Sequence, residues 1–270
     1  DVISAVAEFV SNDDYLFFAS VRREWREAWR ERPTATRAAT AHTSVPQLLH
    51  SFACGLPKSS AICDELARTG NLHVLREARR NDNNCPWDST TCQQAAQGGH
   101  LDVLKWAVMQ GCRWDACTCA GAARGGHLDI LRWARENHCS WDWTTCRAAA
   151  AQGRLDILMY AREHGCPWNS HSCYEAAKAG HLHVLEWAKD NACPWSPTTC
   201  SGAAEGGHFD ILKWARARGC AWDERTCEMA AMNGRLDILR WARENGCPWS
   251  GWKCYFAAEA NNQRHVVEWI

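Results

Sequence analysis

Cysteine recurs at Cys85, Cys112, Cys139, Cys166, Cys193, Cys220 and Cys247, always 27 residues apart. A second series, Cys92, Cys119, Cys146, Cys173, Cys200, Cys227 and Cys254, keeps the same step. Tryptophan follows the first series two residues later at Trp87, Trp114, Trp141, Trp168, Trp195, Trp222 and Trp249. A further column holds Trp106, Trp133, Trp187, Trp214 and Trp241, with Tyr160 once in place of the indole. A unit this short cannot bury its own apolar side, so neighbours must stack, and the chain is constrained to a repeat architecture.

Each unit reads as two short helices. The column Asp88, Asp115, Asp142, Asn169, Ser196, Asp223 and Ser250 contains only residues that cap a helix N-terminus with a side-chain oxygen. Cys92, Ala95 and Ala96 then share one face at i, i+3 and i+4. Gly98 and Gly99 supply the left-handed turn that ends the first helix. The second helix places Leu101, Leu104, Ala107 and Val108 on one face, Asp102 in its first turn and Gly111 at its end. The pattern extends upstream through Cys63, Leu66, Ala67, Gly70, Leu72, Val74 and Leu75, with two extra residues near Asn83–Asn84. A degenerate unit over 34–57 opens the stack, and an eroded one over 261–269 closes it.

Charge and composition exclude several classes. Lys+Arg total 30 against Asp+Glu 31, a net charge of −1, so no basic surplus favours nucleic acid or an anionic membrane. No apolar run approaches the ~18 residues of a membrane span. The chain starts at Asp1 and stops at Ile270 inside a pattern, as a segment of a longer protein would. Seventeen cysteines with regular spacing read mainly as small buried hydrophobes, with occasional disulfides and metal binding as lesser readings. Identical columns lie one repeat apart, beyond the ~7 Å between Cα atoms that a disulfide tolerates. Many free thiols fit a reducing, cytoplasmic or nuclear setting. No phosphate loop, zinc-protease helix, nucleophile elbow or dinucleotide fingerprint is present, and no cofactor or metal is expected. The His100, His127, His181 and His208 column reads as inter-repeat hydrogen bonding, because a catalytic histidine appears once among unlike partners.

The string Ala95-Ala96-Gln97-Gly98-Gly99-His100-Leu101-Asp102-Val103-Leu104 resembles an ankyrin repeat. Thr90-Thr91-Cys92-Gln93-Gln94-Ala95-Ala96 stands where that family has Thr-Pro-Leu-His-x-Ala-Ala. The unit is 27 residues rather than 33, and the deficit falls between Cys112 and Cys119, where the family builds its β-hairpin finger. The resemblance covers about 34–269 and implies an all-α helix-turn-helix solenoid of ankyrin-like repeats with trimmed fingers over 33–270. It further implies a non-enzymatic protein–protein interaction module whose first helices line the concave side. The segment 1–32 reads as a helical cap. Its Val21-Arg22-Arg23-Glu24-Trp25 also resembles the Val-Cys-x-x-Trp of an F-box, which implies, as the alternative, a substrate adaptor docking a ubiquitin-ligase partner.

Repeats can be compared with each other. Framework columns are nearly constant because every unit must stack, so the variable columns are free to specify a protein partner. On the first helices these are the outward positions, which carry Trp143 and Arg147, then His171, Tyr174, Glu175 and Lys178. Further along they carry Arg225, Glu228, Met229 and Met232, and finally Trp252, Tyr255 and Phe256. Aromatic residues there are the type that anchors interfaces. Lys105, Arg132, Lys213 and Arg240 on the second helices read as a solvated back.

Overall fold

The computed structural model describes residues 44–53, 56–80 and 83–270; the F-box-like segment lies outside the described residues. The described part is all-helical, with no strand. A single helix, α1 (Val45–Ala53), precedes a run of helix pairs. The first pairs are α2 (Ser60–Arg68) with α3 (Leu72–Ala78), α4 (Ser89–Gly98) with α5 (Leu101–Met109), and α6 (Ala116–Gly125) with α7 (Leu128–Glu136). Then follow α8 (Trp143–Ala151) with α9 (Leu155–Glu163), α10 (Ser170–Ala179) with α11 (Leu182–Asp190), and α12 (Pro197–Gly206) with α13 (Phe209–Ala217). The last are α14 (Glu224–Met232) with α15 (Leu236–Glu244), and α16 (Gly251–Ala260) with α17 (Arg264–Val267).

The chain forms two compact units. One runs to Gly125 and includes Ile130–Cys139; the other comprises Gly126–Asp129 and Ser140–Ile270. In the first, α2 packs on α4 and α4 on α6; in the second, α8, α10, α12, α14 and α16 pack in sequence. First helices therefore stack on first helices within each unit.

Local chemistry accounts for the helix ends. Asp88 accepts from the Thr90 N–H, and Asp142, Asn169 and Asp223 do the same two residues on. Each such cap is worth about 1 kcal/mol. Ser196 departs from the expectation: its hydroxyl pairs with Thr198 Oγ1 at 2.7 Å, and Pro197 opens that helix instead. At the other end Gly99 sits at φ 85°, which lets His100 N–H return to the Ala95 carbonyl at 3.0 Å.

The core is made of small side chains. Cys92, Ala95 and Ala96 are fully buried, and the equivalents in later first helices are buried too, except Ala257 of α16, which is half-buried. The second helices correct the sequence reading. Val103, Leu104 and Ala107 are buried, whereas Leu101 and Val108 are only half-buried. Helix α5 is apolar on most sides, so periodicity alone could not select the stripe that the neighbouring helices cover.

The remaining columns hold repeats together. His100 Nε2 lies 3.1 Å from the Arg68 carbonyl, and His208 Nε2 3.1 Å from the Lys178 carbonyl. Trp87 meets Trp106 edge-on at 5.5 Å, and the same pairing joins Trp168 to Trp187, Trp195 to Trp214 and Trp222 to Trp241. Arg162 and Arg216 lie over Trp168 and Trp222, 4.4 and 4.1 Å from the ring centres. These indoles are structural mortar within the units.

All described cysteines are free, and all but Cys117 are buried. They neighbour one another across columns, Cys92 with Cys112, Cys146 with Cys166, Cys200 with Cys220 and Cys227 with Cys247, and Cys112, Cys166, Cys220 and Cys247 donate to the carbonyls of Asp88, Asp142, Ser196 and Asp223. The sequence reading compared only identical columns and missed this contact.

Candidate partner-binding face

The outward side of the first helices is built by the same chemistry that buries the inward side. Once Cys173, Ala176 and Ala177 of α10 turn inward, Tyr174, Glu175 and Lys178 must turn outward at the helical period. Among the described residues, the second unit carries the larger apolar and ionic features of this side, in two clusters.

The first cluster spans α8, α10 and α12. The Trp143 ring is exposed and lies 5.5 Å from His171, with the Arg147 guanidinium 5.6 Å from the indole centre. Arg147 reaches Glu175 on the next helix at 3.1 Å. The Tyr174 hydroxyl donates to Glu205, and Lys178 Nζ holds the same carboxylate at 2.6 Å. Burial opposes ionisation of Glu205, but the bonds from Lys178 and Tyr174 outweigh it and keep its carboxyl below the usual range. Burial, with Glu205 beside it, pushes the Tyr174 phenol up. Gly202 permits this closeness, since a Cβ there would lie 2.6 Å from the Tyr174 carbonyl and 2.9 Å from its ring.

The second cluster is on α16. Trp252 is 72% exposed and Phe256 47%, with ring centres 4.7 Å apart and nearly perpendicular. Tyr255, half-buried, stacks on Trp252 at 6.4 Å. Between the clusters lies α14, where Arg225 is exposed and Glu228, Met229 and Met232 are half-buried. The Arg225 charge helps to hold Glu205 ionised.

Three residues of this face escaped the sequence reading: Glu205, Glu224 and Lys253. Lys253 bridges Glu224 at 2.5 Å and Glu228 at 3.5 Å. A signal existed, because Lys253 occupies the column that is Thr118, Thr145, Ser172, Thr199 and Thr226 in earlier repeats, all buried. A lysine in a buried hydroxyl column marks the point where that column opens to solvent. Among the described residues no group of three metal-capable side chains converges, and no helix is long and apolar enough to cross a membrane.

Paired helices, left-handed glycine turns and inward Ala-Ala columns make the described residues a run of stacked helical repeats with a 27-residue step. The ankyrin repeat domain of human ASB11 is similar in structure, with a TM-score of 0.45 and 19% identity, over 58% of this chain and 83% of that one. No family model matches the sequence, and no curated protein does.

Proposed function

We propose that the chain is a protein–protein interaction module that binds a folded or peptide partner on the outward face of the first helices. The observation that carries this reading is a contrast between columns of the repeat. Inward positions keep the same small side chains and are buried, whereas the outward columns change from repeat to repeat: they are buried at Ala120, Gly121, Ala148, Ser201 and Gly202 but at least partly accessible at Arg147, Tyr174, Glu175, Met229, Tyr255 and Phe256. Stacking demands the former and leaves the latter free to specify a partner. The exposed Trp252–Phe256 pair supplies apolar anchors, and the Arg147–Glu175 and Lys178–Glu205 pairs supply orienting charge.

The test starts from affinity capture with the intact chain in an extract of its native cells, followed by binding measurements on the recovered partner. Trp252→Ala, Phe256→Ala and Met229→Ala each weaken binding, the aromatic changes by about thirtyfold or more. Lys213→Ala and Arg240→Ala, on the second helices, leave it unchanged. A loss from the second-helix pair with none from the first-helix set reverses the assignment.

A further inference from the structure

A cavity of about 780 Å³ opens in the first unit, bordered by Arg76, Glu77, Arg79, Arg80, Trp87 and Trp106. It lies where the repeat pattern is broken. Every later second helix from α5 to α15 has an aromatic ring at one position: Trp106, Trp133, Tyr160, Trp187, Trp214 and Trp241. In α3 that position is Glu77, and the column of Trp87 holds Lys58 in the same repeat. This repeat therefore lacks both of its indoles, and space remains beside the intact Trp87–Trp106 pair of the next one.

Arg76 and Arg79 stand in columns that are basic in most later repeats, whereas Glu77 and Arg80 are peculiar to this one. Arg80 takes a position that is Met109, Glu136, Glu163, Asp190, Ala217 and Glu244 elsewhere. Glu77 is satisfied by Arg80 at 3.1 Å, which leaves the Arg76 and Arg79 charges without a carboxylate in the cavity wall. Arg79 donates through Nη1 to the Cys85 carbonyl and to Asn84 Oδ1, while its Nε–H is buried with no acceptor. Trp87 and Trp106 border the space as half-buried indoles, with the Arg79 guanidinium 4.2 Å from the Trp87 ring centre.

We propose that this cavity binds a small organic phosphate that carries a planar ring, the chemistry of a mononucleotide. Guanidinium forks match phosphate oxygens in geometry and charge. The volume falls within the ~300–1,000 Å³ of small-molecule sites, far more than a bare anion fills. The indole wall suits a flat ring. A polyanion is disfavoured by the net charge of −1, whereas one small anion needs only this local surplus.

Calorimetric titration of the intact chain with adenosine monophosphate tests the site, with adenosine and inorganic phosphate as separate arms. The nucleotide binds saturably, and each fragment binds at least about tenfold more weakly. Arg76→Gln and Arg79→Gln each reduce affinity by about tenfold or more. Glu77→Trp, which returns to α3 the ring that later repeats have, abolishes binding while the protein stays folded by circular dichroism. Arg162→Gln is the control, because Arg162 makes the same stack on Trp168 and the same bond to a cysteine carbonyl, Cys166, outside the cavity. Absence of saturable nucleotide binding at millimolar concentration overturns the proposal. So does unaltered affinity in Glu77→Trp, or a loss in Arg162→Gln equal to that in Arg79→Gln. Phosphate alone binding as tightly as the nucleotide overturns the ligand class.

Discussion

Cys92 and Cys112, twenty residues apart and in different columns of the repeat, meet thiol to thiol, and Cys112 Sγ donates onward to the Asp88 carbonyl at 3.2 Å. The same relay runs from Cys146 through Cys166 to the Asp142 carbonyl and from Cys227 through Cys247 to the Asp223 carbonyl. A first helix is thereby tied, through the loop that follows its own repeat, to the residue that caps it. The neighbouring Cys112 thiol, with burial, pushes the Cys92 thiol above its ordinary range. Cys92, Cys146 and Cys227 are thereby held protonated, whereas the same contact pulls Cys112, Cys166 and Cys247 below their ordinary range; burial shields both sets.

Alkylation distinguishes them from an exposed thiol. Iodoacetamide added to the folded protein labels Cys117 well before Cys92, Cys112, Cys146 or Cys166, because the thiolate and its access control the rate. Peptide mass spectrometry over time reads the order. Labelling of Cys92 as fast as Cys117 would mean that the relay is open.

A charge in the small-residue column is severely destabilising. Ala122 and Ala203 have no exposed surface. Ala122→Asp or Ala203→Asp buries an unpaired carboxylate and lowers stability by several kcal/mol. Urea unfolding measures the loss, and a midpoint equal to that of the parent refutes the inward assignment.

Two left-handed glycines separate backbone strain from crowding. Gly180 sits at φ 85° with the His208 ring 2.6 Å from where a Cβ would stand, whereas Gly165 sits at φ 79° in open space. Gly165→Ala costs about 1 kcal/mol for the backbone alone. Gly180→Ala costs more, since the ring must leave the Lys178 carbonyl that it contacts. Equal thermal shifts for the two variants would contradict this.

The Glu205 cluster confers a pH dependence of defined sign. Its carboxyl is depressed in the folded state from an ordinary value of 4.5. It therefore stabilises the fold fully above that value, where it is ionised whether folded or unfolded, and the contribution disappears as pH falls through the folded-state pKa. The stability difference between parent and Glu205→Gln should be constant near neutrality and shrink on acidification below about 4.5. A difference that grows as pH falls would show that Lys178 and Tyr174 do not favour the ionised form.

Much of the architecture was legible from the chain alone because it is local. A cap such as Asp88 acts two residues on, a glycine such as Gly99 turns its own helix, and the Cys92–Ala95–Ala96 spacing selects a face within one helix. Repetition then multiplies each local signal, so the 27-residue step declared a stack before any coordinate was known. The outward columns of the candidate face were legible by the same route, as what remained once the inward columns were assigned. Tertiary structure decided what depends on side chains meeting across separate elements. It chose Val103 over Leu101 as the buried residue of α5, because a helix apolar on most sides takes its orientation from its neighbours. It joined Cys92 to Cys112 and brought Tyr174 and Lys178 onto Glu205, contacts whose partners lie 20 to 31 residues apart. It also turned the substitution of Glu77 for an aromatic ring into an open cavity, since an absent side chain acquires meaning only when others border the space that it leaves.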